Sequence, residues 1–113
     1  MIVGYDTRFA SEDFAAEVAA VTTAGGVPTT LLSSAAPTPV VSYSIINRKA
    51  GGGVVITASH NPPQWNGFKY KPDYGGSASP EVVEALEEEI AVALKGQVAR
   101  TPLTQARERG LLT

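Results

Sequence analysis

Thr57-Ala58-Ser59-His60-Asn61-Pro62-Pro63, with Asn66-Gly67-Phe68-Lys69 close behind, sets a serine hydroxyl, an imidazole and a primary amine in one short tract. Ser59 can act as a nucleophile or as the carrier of a transferred group. Its plain alternative is a turn serine bonded to neighbouring backbone. His60 titrates near neutrality and can move a proton or face an anion; otherwise it is an exposed loop histidine. Side chains adjacent in sequence tend to diverge and no carboxylate is evidently placed to orient His60, which disfavours a hydrolase-type pair in which His60 activates Ser59. Lys69 can contact an anion or, with its pKa depressed by burial and positive neighbours, serve as a general acid or base. The other reading of Lys69 is a solvated strand lysine, as Lys71 is expected to be.

These groups matter only if the fold presents them. The Ser59 turn leaves the apolar run Gly53-Val54-Val55-Ile56-Thr57, which reads as a buried strand. An earlier apolar run, Met1 to Tyr5, ends in Asp6-Thr7-Arg8. Ligands of open α/β sheets gather outside the carboxyl ends of parallel strands. If both runs are parallel, Arg8 and the Ser59 turn project from one edge. Arg8 can then hold a phosphate through two oxygens, and Asp6 is a turn or capping carboxylate that can also orient Arg8.

The remaining pattern alternates strand and helix. Ser11 is expected to cap a helix with Glu12 and Asp13 in its first turn and Phe14, Val18 and Val21 recurring at helical spacing, stopped by Gly25-Gly26. Thr29 to Leu32 is a short strand. Thr38 as cap and Pro39 at the first helical position open a helix to about Lys49. Gly51 to Gly53 precede a strand instead of opening a helix, so they form a turn and not a phosphate cradle. In the run from Phe68 to Lys71, alternation puts Phe68 and Tyr70 on one face and the two lysines on the other. It follows a loop too short for a helical crossover, so it is expected as an antiparallel edge strand. Ser79-Pro80 opens a last helix with Val82, Val83, Leu86, Ile90 and Leu94 on one side and Glu84, Glu87 and Glu88 on the other. The expected architecture is α/β, a three-layer α/β/α sandwich with a mixed, mainly parallel sheet of about four strands and one antiparallel edge strand. Residues 1–97 are read as the domain and the charged, weakly patterned 98–113, broken at Thr101-Pro102, as a linker towards a following domain.

Composition narrows the function classes. The chain has 113 residues, 43% hydrophobic and 18% charged, with a net charge of -2, which is ordinary for a globular domain. Nine Lys and Arg residues spread along the chain make no nucleic-acid surface. With no cysteine and one histidine, neither a disulfide, a thiolate metal site nor a multi-histidine zinc site can form within the chain. No apolar run approaches the roughly 20 residues of a membrane span and no signal-peptide pattern is present, so neither membrane nor nucleic acid is expected as a partner and a cytoplasmic location is expected.

Ile56-Thr57-Ala58-Ser59-His60-Asn61-Pro62-Pro63, with Asn66-Gly67-Phe68-Lys69 after it, resembles the phosphoserine loop of the α-D-phosphohexomutases, the phosphoglucomutase and phosphomannomutase family. Val3-Gly4-Tyr5-Asp6-Thr7-Arg8-Phe9 is similar to that family's Gly-x-Asp-x-Arg segment, and Thr38-Pro39 and Tyr74-Gly75-Gly76-Ser77-Ala78 fall where its first domain has them. The likeness runs from Val3 to about Lys95. It implies that Ser59 carries a phosphoryl group to and from hexose 1- and 6-phosphates, and that Mg2+, shared with a later domain, contacts Ser59 through a phosphoryl oxygen. It also implies that His60, Lys69 and Arg8 lie in the active site, Lys69 as the better candidate for proton handling. The family's initial Thr/Ser-Gly-x-Arg-Gly segment and its later metal, sugar and phosphate loops have no match here. The chain is therefore expected to be a first domain that does not turn over alone, with a hexose phosphate and the other domains as partners. A non-catalytic anion-binding or oligomerisation module is the alternative.

Overall fold

A computed structural model of the chain describes residues 1–8, 10–57, 67–93, 96 and 98–113, with the backbone alone at Ile90 and Ala93. The strands are β1 (Ile2–Tyr5), β2 (Thr30–Leu31), β3 (Gly52–Ile56) and β4 (Phe68–Pro72). The helices are α1 (Ser11–Ala24), α2 (Thr38–Asn47), α3 (Pro80–Ala93) and α4 (Leu103–Glu108). The sheet order is β2-β1-β3-β4. β1 pairs in parallel with both β2 and β3, and β4 closes one edge antiparallel to β3. The mixed sheet and its antiparallel edge strand are as expected.

Every residue of β1 and β3 is buried, as in a strand covered on both faces. Alternation then divides the core. Val3, Tyr5, Val54 and Ile56 pack with Ala15 of α1, whereas Ile2 and Val55 pack with Val41 and Ile45 of α2. From β1 the chain steps one way to β2, then back past β1 to β3. Right-handed crossovers in opposite directions require helices on opposite faces, which yields the three layers. Burying one side chain such as Val55 contributes about 1.5–3 kcal/mol.

Several local expectations are corrected. Ser11 is the first residue of α1 and not its cap: Ala10, in the left-handed region at φ 60°, holds the cap position with no side-chain cap bond. That backbone costs about 1–2 kcal/mol in a residue with a Cβ, and the Ser11 N–H bonded to the Arg8 carbonyl at 3.1 Å helps hold the turn. The buried stripe of α1 is Ser11, Ala15, Ala19 and Thr23, while Phe14 is 50% exposed. Small residues at spacing four let the helix lie close on the sheet, and the larger ones are turned towards β4. Likewise Pro37 takes the cap position of α2, with Thr38 and Pro39 inside its first turn. Lys71 is buried at 9%, contrary to its expected solvation. It pairs with Gly53 on the α2 side of the sheet, beside the turn that seats Gly75 against Ser42 and Ile46 of α2.

Residues 98–113 were expected to lead away as a linker, yet 101–113 fold back on the domain. The Thr101 N–H bonds Ala20 O, and Ala106 and Leu112 are buried against Ala19. Thr29 and Leu112 form a parallel bridge, and the Leu31 N–H donates to Thr113 O at 3.0 Å. The packing of α3 is more open. Val82 and Leu86 are half-buried, Val83 is exposed, and a cavity of about 450 Å³ is lined by Val83 and Leu86 together with Phe68 and Tyr70 of β4. Leu94 and the Ile90 side chain lie outside the described residues.

Two substitutions test this packing. A Cβ on Gly53 would stand 2.7 Å from Ile45 Cδ1 and 2.8 Å from the Ile2 carbonyl oxygen. Because a strand carbonyl cannot yield, Gly53→Ala should cost about 1–3 kcal/mol in denaturant unfolding, with Gly51→Ala, which meets nothing within 4 Å, as the tolerated control. Leu112→Ala should cost roughly 2 kcal/mol or more; a midpoint equal to that of the parent would mean that the last segment adds nothing to the domain.

Candidate active site at the carboxyl edge of the sheet

Between β1 and β3 the connections run in opposite directions, so the carboxyl ends of these strands flank the topological switch point, the favoured ligand crevice of open α/β sheets. Their register pairs Tyr5 with Ile56, and the Asp6 N–H continues the ladder to Ile56 O at 3.2 Å. Asp6 and Thr57 are thereby brought side by side, and the Thr57 hydroxyl donates to Asp6 Oδ2 at 2.7 Å.

Asp6 collects three further bonds. Its Oδ2 also accepts from Arg8 Nε at 2.9 Å, and its Oδ1 accepts from the Arg8 backbone N–H at 3.0 Å and the Ser11 hydroxyl at 2.9 Å. The Arg8 side chain is 12% exposed. A polar cavity of about 460 Å³ opens beside this cluster, lined among others by Asp6, Arg8, Ser11, Asp13, Ser33 and Ser34. Burial alone would raise the Asp6 pKa. The hydrogen bonds from Thr57, the Arg8 backbone, Ser11 and the Arg8 guanidinium together outweigh it and hold the carboxyl below its ordinary value.

The loop expected to carry the chemistry springs from this point. Its base is closed by the Thr57 N–H bonded to Gly67 O at 2.9 Å, so the described residues on either side of 58–66 meet at the carboxyl edge. Ser59 and His60 lie outside the described residues. Lys69 is exposed at the second position of β4, paired with Val55; the antiparallel sense of β4 puts this end of the strand at the same edge. Of the expected site residues, the structure brings Arg8 to the base of the loop and Lys69 to the strand leaving it. Two participants were given no such role in the sequence. Thr57 read as the end of an apolar run and the start of the Ser59 tract, and Ser11 as a helix cap; the available signal was a polar side chain at the exit of an otherwise apolar strand. Among the described residues no group of three or more His, Asp or Glu side chains could hold a metal ion, so the expected Mg2+ has no cage of protein ligands there.

The pH dependence of stability follows from Asp6. A carboxyl whose folded pKa lies below its unfolded value stabilises the fold above the unfolded value, and this contribution disappears as pH falls through the folded pKa. The thermal midpoint of the parent should therefore fall more steeply than that of Asp6→Asn as pH drops below the ordinary aspartate value of 3.8. Parallel curves from neutrality down to acid would show that the four bonds do not favour the ionised carboxyl.

The family model for phosphoglucomutase/phosphomannomutase, alpha/beta/alpha domain I, matches residues 1–96. A phosphoglucomutase of Staphylococcus saprophyticus is 36% identical over 80% of this chain and 16% of its own length. A phosphoglucosamine mutase of Thermotoga neapolitana is 37% identical over 88% of this chain and 22% of its own. The crystal structure of a protein assigned as a phosphomannomutase, from Thermus thermophilus, superposes with a TM-score of 0.77 at 39% identity, covering 88% of this chain and 22% of that one. This chain spans only about a fifth of the length of these relatives. Its sheet, its carboxyl-edge cluster and these matches agree: the chain belongs to the phosphoglucomutase/phosphomannomutase family and corresponds to that family's α/β/α domain I.

Proposed function

We propose that this chain is the phosphoryl-carrying domain of a phosphohexomutase, with Ser59 as the carrier. The observation that carries the reading is the parallel pairing of β1 with β3, which brings the Arg8 guanidinium and the hydroxyl of Thr57, two residues before Ser59, to one oxygen of Asp6. A phosphoserine bears about -1.5 to -2 charge at neutral pH and needs cationic and N–H partners, so an arginine held at the root of its loop is the expected neighbour. In the transfer, the bond from phosphorus to Ser59 Oγ breaks as a bond to a hydroxyl oxygen of a hexose 1- or 6-phosphate forms. The hydroxyl proton passes to a base and returns on the reverse leg, after the bisphosphate has turned. Lys69 is the better candidate for that proton and His60 for contact with the anion.

On this reading a phosphoryl oxygen on Ser59 would be this segment's contact with Mg2+, which a later domain would share and which would offset charge during transfer. Later domains complete the site around the sugar, and the chain alone is not expected to turn over. Relatives named for glucose and for glucosamine phosphates match this one segment about equally well, which supports placing sugar discrimination outside it. No helix among the described residues is long and apolar enough to cross a membrane, in keeping with the proposed cytoplasmic location.

Intact mass of the protein purified from cells under phosphatase-free conditions tests the reading. One added phosphoryl group should appear, and Ser59→Ala should abolish it. If the full-length enzyme never carries that group, the carrier role fails and the non-catalytic anion-binding or oligomerisation module takes its place. Labelling of Ser59 by a fluorophosphonate would point instead to a hydrolase.

A further inference from the structure

We infer that Asp6 is a positioning residue whose carboxylate locks Arg8 to the exit of β3 at Thr57, so that the guanidinium is held beside the residue from which 58–66 begins before any anion arrives. The purpose of the lock rests on the phosphoryl-carrier reading; its geometry does not. Each carboxylate oxygen takes one pair of donors. Oδ1 receives the Arg8 backbone N–H and the Ser11 hydroxyl, both local to the turn that enters α1. Oδ2 receives Arg8 Nε and the hydroxyl of Thr57, which is 51 residues away in sequence and on another strand.

An aspartate that served only the turn would need Oδ1 alone. The second pair spans the crevice between β1 and β3 and fixes the guanidinium by its Nε edge as well as through its own backbone. The ionised carboxylate accepts at both oxygens, whereas an asparagine of the same shape would turn its NH2 towards an N–H that cannot accept, the Arg8 backbone on one side or Arg8 Nε on the other, in either orientation. The bonds to the charged carboxylate are of the stronger class, and the arginine they hold is nearly enclosed. Fixing a cation in its working orientation avoids the ordering cost at the moment an anion binds, which is the advantage of preorganised donors. Thr57 takes part through its hydroxyl: serine can replace it, and valine, of the same shape, cannot.

The test follows the Arg8 side chain by NMR in the 15N-labelled chain, with its Nε–H signal assigned by its loss in Arg8→Lys. Exchange of that proton with solvent should be slow in the parent and faster by about tenfold in Thr57→Val, as for the loss of one charge-assisted hydrogen bond. It should return to the parent rate in Thr57→Ser. Ser11→Ala, which removes a donor from Oδ1 and leaves Oδ2 with its pair, should leave it slow. Phosphoserine encoded at position 59 should shift the Arg8 side-chain signal in the parent and in Thr57→Ser, and leave it unmoved in Thr57→Val and Asp6→Asn. An unchanged Arg8 signal in a folded Thr57→Val chain overturns the lock, even if Asp6→Asn fails to fold. If the exchange pattern holds while phosphoserine moves nothing in the parent, the lock stands and the contact assumed by the carrier reading is refuted.

Discussion

The structure at the carboxyl edge depends on β1 and β3 pairing in parallel and in one register. Pairing Tyr5 with Ile56 makes Asp6 and Thr57 neighbours; a slip by one residue would turn every side chain of one strand to the other face. The register is enforced from both sides, because Val3, Tyr5, Val54 and Ile56 meet α1 while Ile2 and Val55 meet α2. Gly53 adds a steric limit, since its lack of a Cβ lets Ile45 and the Ile2 carbonyl close over it. Thus the hydrophobic core sets which polar groups face one another at the sheet's edge, and two of them, Ser11 and Thr57, are buried with it.

Much of this was legible in the sequence because it rests on strong periodic signals. Two fully apolar runs, each ending in polar residues, identified the parallel strands and their functional edge, and the alternation of Phe68, Lys69, Tyr70 and Lys71 identified the antiparallel one. What was not legible depended on distances between elements. Ser11 has the composition of a cap, but Asp6 is near enough to claim its hydroxyl, and the cap position passes to Ala10. Phe14 fits helical spacing, yet a stripe of Ala15 and Ala19 reaches the sheet more closely. Lys71 became buried because a turn after its strand packs on α2, a contact with no local signature.

Residues 101–113 carry the same lesson on a larger scale. Their charged, proline-broken pattern reads as a connector, since only Ala106 and Leu112 are buried in a cluster with Ala19. Two apolar residues ten or fewer positions apart give no periodic signal. Their effect comes from position: both pack on Ala19 of α1, and Leu112 bridges Thr29 just before the short edge strand β2, whose Leu31 N–H is taken by the Thr113 carbonyl. A segment can thus be weakly patterned and still complete a sheet.

The charge arrangement at the edge is balanced within the turn itself. An arginine nearly enclosed by protein needs a compensating charge, and Asp6 supplies it within hydrogen-bond distance. A carboxylate that accepted only from Arg8 would be a poor choice beside an anion site, because it would compete for the guanidinium. Here the Thr57 and Ser11 hydroxyls and the Arg8 N–H share its charge, so the carboxylate is satisfied by four donors and draws less on any one of them. On the proposed function, the incoming phosphoryl group then meets a cation whose orientation is fixed and whose counter-ion is already occupied. These bonds come from the turn and the two strand ends, so the same pairing that sets the register of the sheet also sets the direction of its enclosed arginine at this edge.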